Sequence, residues 1–276
     1  MTTKASRVCG VALLIALAGC GGGVSKDFRP TTPIAKWDNR QWATVLSAVV
    51  TPDGFVKWDK LRTNEAGVKD ALYRYVGQLG AVSPENRPEL FANKDDVLAY
   101  WINAYNAICM YRVVERGYPS NILGALPPGG IFFTDTTPVG GKSYSLDSLE
   151  KSRIRSSNDA RIHYAVNCMS FSCPPLLGVP YEGPTLQAQL AAQARRGLND
   201  YRCIKVVGDG QTVEMSDIFT SFYSGDFYES YKIRTGKKAE SLIEAIAIDA
   251  GPESPILKAK KIRGMGYDWS RNDPPR

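Results

Sequence analysis

The feature that most constrains the fold is a patterned segment that begins near Asn93 and ends at Arg116. Its apolar side chains recur at steps of three and four, at Val97, Trp101, Ala104, Ile108 and Tyr111. Asn93 is a favourable N-cap residue, and Gly117 and Pro119 interrupt the pattern after Arg116. This spacing predicts a long helix with a broad apolar face, and such a helix must lie at the centre of a hydrophobic core.

Shorter patterns on either side of this helix predict a mixed fold. Helices are predicted over 147–153, capped by Ser145, over 185–199 and over 238–250. Strands are predicted over 131–134 and 142–145 around a Gly-Gly turn, over 161–168, and over 203–207 and 212–215 around a Gly-Asp-Gly turn. Because helices and short strands fall in separate groups, the predicted class is α+β, with the central helix packed on a small, mainly antiparallel sheet.

The first twenty residues are typical of an export signal. Lys4 and Arg7 precede a short apolar run that ends in Leu17-Ala-Gly-Cys20. The run is shorter than the about 20 residues that span a bilayer, and its end resembles the bacterial lipobox. We therefore predict a signal peptide over 1–19, a lipid on Cys20, a Gly/Ser/Thr/Pro-rich tether over 20–34, and one domain over 35–276.

These features predict a lipid-anchored protein of the cell envelope. No aspartate follows Cys20, which favours the outer membrane and a domain that faces the periplasm. The four later cysteines, Cys109, Cys168, Cys173 and Cys203, allow three full disulfide pairings in this oxidising compartment. The net charge of +6 is not gathered into a basic block, so we expect no nucleic-acid partner.

The reactive side chains concentrate in residues 161–175, which contain the single histidine of the chain. If 161–168 form a strand, His163 and Asn167 share one face and Cys168 lies on the other. The following loop then returns Cys173 toward His163, the one imidazole available to hold a cysteine as thiolate. Three alternatives stay open: a Cys168–Cys173 disulfide, a metal site of His163 with both cysteines, and a structural role for all three.

Three polar side chains of the predicted helices are further candidates. Glu150 either orients His163 and stabilises its charged form or is a solvated helix charge. Asn103 and Asn106 are three residues apart, which makes them neighbours on one face of the central helix. A buried amide needs a partner, so these two residues either tie the helix to nearby backbone or line a polar cleft.

Two longer motifs carry a resemblance to a known family. The segments Tyr100-Trp-Ile-Asn-Ala-Tyr-Asn-Ala107 and Arg161-Ile-His-Tyr-Ala-Val-Asn-Cys168, the latter followed by Ser172-Cys-Pro-Pro-Leu176, resemble signatures of the domain of unknown function 547 family. Weaker signatures resemble residues 145–150, 216–219 and 267–269, so the resemblance extends from about residue 41 to 269. It implies a fold related to papain-like and transglutaminase-like cysteine hydrolases in permuted order, with Cys173 as nucleophile, His163 as base and Glu150 as orienting acid.

The resulting hypothesis is a cysteine hydrolase or acyltransferase of the periplasm. Cys173 attacks a peptide or γ-glutamyl amide or a thioester, His163 carries the proton, and Asn167 or a loop amide holds the oxyanion. Contacts to a small peptide or thiol-peptide substrate are expected from Asn103, Asn106, Asn167 and Cys168, without a cofactor or metal. The alternative hypotheses are a non-catalytic lipoprotein that binds such ligands and has a Cys168–Cys173 disulfide, and a purely structural lipoprotein.

Overall fold

The structure is a computed structural model that describes residues 30–124, 129–208 and 210–275. The predicted signal peptide, the lipidated Cys20 and the first part of the tether lie outside the described residues. Within the described ranges, no helix is both long and apolar enough to cross a bilayer.

The described residues form an α+β fold, as predicted. The α-helices are α1 (Arg40–Val49), α2 (Trp58–Thr63), α3 (Val68–Ala81), α4 (Lys94–Glu115), α5 (Gly130–Phe133), α6 (Leu146–Leu149), α7 (Leu186–Gly197), α8 (Ser224–Thr235) and α9 (Leu242–Ala247). The strands are β1 (Thr137–Val139), β2 (Lys142–Tyr144), β3 (Ile204–Val207), β4 (Thr212–Met215) and β5 (Lys261–Gly264).

Helix α4 confirms the predicted central helix. The Asn93 side chain caps it and accepts hydrogen bonds from the N–H groups of Asp95, at 2.8 Å, and Asp96, at 3.1 Å. Every residue from 99 to 114 is buried, because α3, α6, α7 and the 3-10 helix Gly183–Thr185 surround the helix. The predicted apolar face is therefore one part of a helix that is covered on all sides.

Two small sheets flank the helices. Strand β1 pairs antiparallel with β2 across a Gly-Gly turn, and α4 contacts this hairpin through the Trp101 ring, 6.0 Å from the ring of Tyr144. Strand β4 pairs antiparallel with β3, as predicted, and parallel with β5. The prediction of a strand over 131–134 is wrong, since these residues lie in and just after α5. A short apolar run in the sequence cannot distinguish a strand from a buried helix.

The buried side chains form two apolar clusters. The larger cluster surrounds α1, α3 and α4, and the smaller one lies between the three-stranded sheet, α8 and α9. Helix α7 contributes Leu190 to the larger cluster and Ala194 to the smaller one. The chain between α6 and α7 therefore runs along the boundary of the two clusters, and this stretch contains the reactive residues.

The three shorter predicted helices are present with changed bounds. Helix α7 lies within the predicted 185–199, and α9 is shorter than the predicted 238–250. The Ser145 hydroxyl caps α6 by accepting a hydrogen bond from the Ser148 N–H group at 3.1 Å. A π-helical turn, Glu150–Ile154, continues α6 and carries Glu150 into the interior.

Candidate functional site

A cavity of about 380 Å³ lies where residues of the two clusters meet. Cys173, His163, Glu150 and Cys168 all line this cavity, so the structure brings the three predicted catalytic side chains together. Most of the remaining lining is apolar, and its aromatic members are Tyr105, Phe132, Phe133, Phe222, Tyr223, Tyr267 and Trp269. The volume falls within the range of small-molecule sites.

The segment that carries His163 is not the predicted strand. Residues Ala160–Tyr164 form a 3-10 helix, whose cap is the Asp159 carboxylate accepting from the Arg161 N–H group at 3.0 Å. Beyond this helix, Asn106 donates to the carbonyl of Ala165 at 3.0 Å and accepts from the N–H group of Asn167 at 2.7 Å. The side-chain amide thus takes the hydrogen bonds that a neighbouring strand would supply, and the strand-based pairing argument was wrong.

The loop that carries both cysteines is held at its two ends by Asn167. Its side chain accepts from the Met169 N–H group and donates to the Pro174 carbonyl, both at 2.8 Å. Met169 adopts a φ of 63°, a left-handed conformation that non-glycine residues seldom take. This turn folds Cys168 back against Cys173, and their Sγ atoms lie 3.0 Å apart.

The C-terminal segment completes the cysteine loop. The Phe171 N–H group donates to the Ser270 carbonyl at 2.6 Å, and the Asp268 N–H group donates to the Ser172 hydroxyl at 2.8 Å. These bonds place the Tyr267 hydroxyl 3.2 Å from Cys173 Sγ. A residue almost a hundred positions later in the chain therefore forms part of the cysteine environment.

Cys173 is only 4% exposed and has several hydrogen-bond donors around its sulfur. They are the N–H group of Cys168 at 3.1 Å, the Tyr267 hydroxyl, the Ser170 hydroxyl at 3.4 Å and the Cys168 thiol. Burial alone raises the pKa of Cys173, but the hydrogen bonds from Cys168, Ser170 and Tyr267 outweigh it and lower the pKa to about 6. Burial and the neighbouring Cys173 raise the pKa of Cys168, which remains a thiol.

His163 is bound to a carboxylate, but not to the predicted one. Its Nε2 lies 2.9 Å from Asp226 Oδ2, and Asp226 also pairs with Arg155 through two contacts of 2.7 Å. Burial raises the pKa of Asp226, but the hydrogen bonds from His163 and Arg155 outweigh it and hold the pKa well below its usual range. Because a carboxylate only accepts hydrogen bonds, Nε2 carries the proton and the neutral ring has its lone pair at Nδ1.

The other ring nitrogen of His163 has no hydrogen-bond partner. The ring stacks on Tyr223 with a centroid distance of 3.9 Å, and His163 Nδ1 is buried without a hydrogen-bond partner. No hydrogen bond joins His163 to Cys173 within the described residues. The two side chains reach the cavity from a 3-10 helix and from the cysteine loop, so the predicted direct pair is replaced by two groups that line the same space.

Glu150 does not contact His163, and the carboxylate beside the imidazole is Asp226. Glu150 is buried, lines the cavity with Tyr223, and has an Oε1 atom without a hydrogen-bond partner. Glu150 reaches the cavity lining from the π-helical turn after α6, and the carboxylate that is hydrogen-bonded to His163 is that of Asp226. Burial and the charge of Glu150 raise the pKa of Tyr223, which stays protonated and able to donate.

Three of the four predicted substrate contacts are structural ties instead. Asn103 pairs with the backbone of Tyr181, donating at 2.7 Å and accepting at 3.0 Å. The side-chain amides of Asn106 and Asn167 likewise donate to and accept from backbone groups. None of the three asparagines lines the cavity. Buried amides are satisfied equally well by backbone or by ligand, so spacing did not separate the two roles. Only Cys168 keeps a place in the cavity wall.

The described residues contain no group of three or more His, Cys, Asp and Glu side chains that could hold a metal ion. All four cysteines of the described part are unpaired thiols. Cys109 and Cys203 are fully buried, and burial raises the pKa of both. The thiols that line the cavity are Cys168 and Cys173.

Residues 90–197 match the family described as Protein of unknown function, DUF547. The match supports the family resemblance of the helix and cysteine motifs, over a shorter range than the predicted 41–269. The DUF547 segment contains Glu150, His163 and both cavity cysteines, whereas Asp226 and Tyr267 lie beyond it. No curated protein and no solved structure matches the chain.

Sequence reasoning missed several partners of the site, one of which, Arg155, lies within the DUF547 segment, whereas the others lie beyond it. Asp226, Tyr223 and Arg155 stand in no recognisable motif, and an isolated carboxylate on a helix usually indicates a solvated face. Tyr267 belongs to one of the weaker family signatures, Tyr267-Asp-Trp269, and this signal would have directed attention to it. Its hydroxyl contacts both cysteine sulfurs.

Proposed function

We propose that the chain is a cysteine-dependent hydrolase or acyltransferase that acts on amide or thioester bonds in the cell envelope. The observation that carries the proposal is the Cys173 sulfur, which is surrounded by hydrogen-bond donors in a cavity that His163 also lines. A thiolate held in this way is a nucleophile without prior deprotonation by a base. His163 is then free to act on the leaving group.

The roles of the side chains follow from their contacts. Cys173 Sγ attacks the carbonyl carbon and forms a thioester, while the bond to the leaving nitrogen or sulfur breaks. His163 enters this step protonated at both ring nitrogens, with Asp226 stabilising the charged imidazole through Nε2, and it gives its Nδ1 proton to a leaving amine. Water or an acceptor amine then attacks the thioester and returns a proton to His163.

The thiolate donors also suit the developing oxyanion. The Cys168 N–H group and the Tyr267 hydroxyl lie within 3.2 Å of Cys173 Sγ. When the sulfur acquires a covalent bond and loses its charge, these donors become available to the adjacent carbonyl oxygen. They replace Asn167, whose amide is used by the backbone.

The cavity walls support a substrate with an apolar group next to the reacting bond. Aliphatic and aromatic side chains together line most of the space, which favours an apolar or aromatic acyl group over a γ-glutamyl chain. The unpartnered Glu150 Oε1 favours a substrate with a hydrogen-bond donor, such as a peptide N–H group. A small peptide with an aromatic or aliphatic residue at the reacting carbonyl satisfies both features.

The proposed location rests on the sequence. The apolar segment that ends at Cys20 supports a lipid anchor, and a periplasmic domain on the outer membrane follows from it. The meeting of a cysteine, a histidine and a carboxylate in one cavity supports the proposed relationship to papain-like and transglutaminase-like hydrolases.

Trapping of an acyl-enzyme tests the proposal and the role of His163 together. Reduced protein is mixed with matched aromatic acyl thioesters and amides, and intact mass is recorded. We expect an adduct on Cys173 with both compounds and none in Cys173→Ser. His163→Ala should still be acylated by the thioester, whose thiolate leaves without a proton, and should lose acylation by the amide.

Two results would overturn this proposal. The first is an absence of any adduct while Cys173 reacts normally with an alkylating agent. The second is reversible binding of the amide that is equal in wild type and Cys173→Ser, which would establish the ligand-binding alternative.

A further inference from the structure

The acyl-transfer mechanism uses Cys168 only as a hydrogen-bond donor and gives its thiol no bond to form, although its sulfur lies 3.0 Å from that of Cys173. A disulfide bond is about 2.05 Å long, so the two sulfurs need to approach by only about 1 Å. Four residues separate the cysteines, and the left-handed turn at Met169 already folds the loop back on itself. The loop is thus arranged for a bond between these two sulfurs.

The two cysteines differ in the manner of a nucleophilic and a resolving cysteine. Hydrogen bonds hold Cys173 as thiolate, whereas Cys168 remains a thiol because burial and the negative sulfur beside it raise its pKa. Cys173 therefore reacts first with an incoming disulfide. Cys168 is partly exposed and lines the same cavity, so it is in place for the second attack.

Two hydroxyl groups contact both sulfurs and link the two steps. Ser170 Oγ lies 2.9 Å from Cys168 Sγ and 3.4 Å from Cys173 Sγ, and the Tyr267 hydroxyl lies 3.3 Å and 3.2 Å from the same atoms. When Cys173 enters a mixed disulfide it loses its charge, and both hydroxyls are free to donate to Cys168. The first reaction thereby creates the conditions that stabilise a Cys168 thiolate.

We infer that Cys168 is a resolving cysteine and that the Cys168–Cys173 pair reduces small disulfides by thiol–disulfide exchange. The Cys173 thiolate attacks R–S–S–R, forms a mixed disulfide and releases RS⁻. Cys168 gives its proton to that RS⁻, attacks Cys173 Sγ and releases the second RS⁻. One external disulfide becomes one thiol and one thiolate, which takes its proton from water, and the two protein sulfurs become an intramolecular disulfide.

This inference shares the Cys173 nucleophile with the proposed function but requires no acyl chemistry. The closed disulfide removes the nucleophile, so any acyl transfer stops in the oxidised form. Cys109 and Cys203 stay outside the exchange because both are fully buried.

The test uses the chain reduced with dithiothreitol, freed of reductant and exposed to oxidised glutathione near neutral pH. We expect the wild type to lose two alkylatable thiols and to retain no glutathione by mass. Cys168→Ser should retain one glutathione on Cys173, and Cys173→Ser should react at least 10-fold more slowly. Cys109→Ser is the matched control and should behave as the wild type.

Persistence of the glutathione adduct in the wild type, at the level of Cys168→Ser, would overturn the inference. So would a wild type that keeps all its thiols while Cys173 reacts rapidly with an alkylating agent. Both results are observed in the wild-type protein, so neither depends on whether a variant folds. Failure of the proposed acyl transfer gives a different result from failure of this inference. In that case the reduced protein forms no acyl-enzyme, but the Cys168–Cys173 disulfide still closes with oxidised glutathione.

Discussion

The Tyr267 hydroxyl contributes one of the hydrogen bonds that hold Cys173 as thiolate. Replacement with phenylalanine removes this donor and keeps the aromatic ring in the cavity wall. A hydrogen bond to a charged group contributes about 1.5–3 kcal/mol, and about 1.4 kcal/mol corresponds to one pKa unit. Tyr267→Phe should therefore raise the pKa of Cys173 from about 6 by about 1 to 2.

The assay is the rate of Cys173 alkylation as a function of pH, read by peptide mass. Only the thiolate reacts, so at pH 6 the rate in Tyr267→Phe should fall by about 5- to 50-fold, and near pH 9 it should equal that of the wild type. Tyr223→Phe is the matched control, because it removes a hydroxyl from a tyrosine of the same cavity that is not among the hydrogen-bond partners of Cys173. An unchanged pH midpoint in Tyr267→Phe, or an equal shift in Tyr223→Phe, would refute the reasoning.

Three further outcomes are expected. Asp226→Asn should lower amide turnover by about 100-fold or more through its effect on His163, whereas the pH of half-maximal Cys173 alkylation should not change. A change in that pH would contradict the conclusion that the Asp226–His163 pair does not stabilise the Cys173 thiolate. Asn106→Ala leaves two buried backbone groups without hydrogen-bond partners, so it should lower the free energy of unfolding, measured with urea, by about 2–6 kcal/mol. The exposed control Asn199→Ala should lower it by at most about 1 kcal/mol. The pKa of Cys173 is lowered to about 6 in the folded protein, below the value of about 8.5 in the unfolded chain, so the thiolate's contribution to the free energy of unfolding is present above about pH 8.5 and is lost as pH falls through about 6. Urea unfolding of a Cys173→Ala variant should lack this pH dependence. If the pH dependence persists in the variant, Cys173 is not its source.

Long periodic patterns predicted the fold well. Helix α4 and the β3–β4 hairpin follow from a sustained helical period and from alternation around a turn, respectively. The strand prediction for residues 161–168 was wrong because the apolar run of this segment is compatible with both a strand and a buried 3-10 helix. Asn106, on a helix more than fifty residues earlier, supplies the hydrogen bonds that decide between the two.

The candidate site was predictable only where its residues lie close together in sequence. Cys173, His163 and Glu150 were found from one short stretch and share the cavity. Asp226 and Tyr267 come from later segments, and their contacts arise from the packing of α8 and the C-terminal segment. Local sequence therefore indicated the proposed nucleophile, but not the groups that hydrogen-bond its sulfur or the histidine.

The pH profile of Cys173 alkylation in reduced wild type and in His163→Ala tests the central claim most directly. The hydrogen bonds around the sulfur, and not the imidazole, hold the thiolate. Both proteins should therefore react half-maximally near a pH of about 6. A midpoint near about 8.5 in the wild type, the value of an ordinary thiol, or a midpoint that rises only when His163 is removed, would contradict the account.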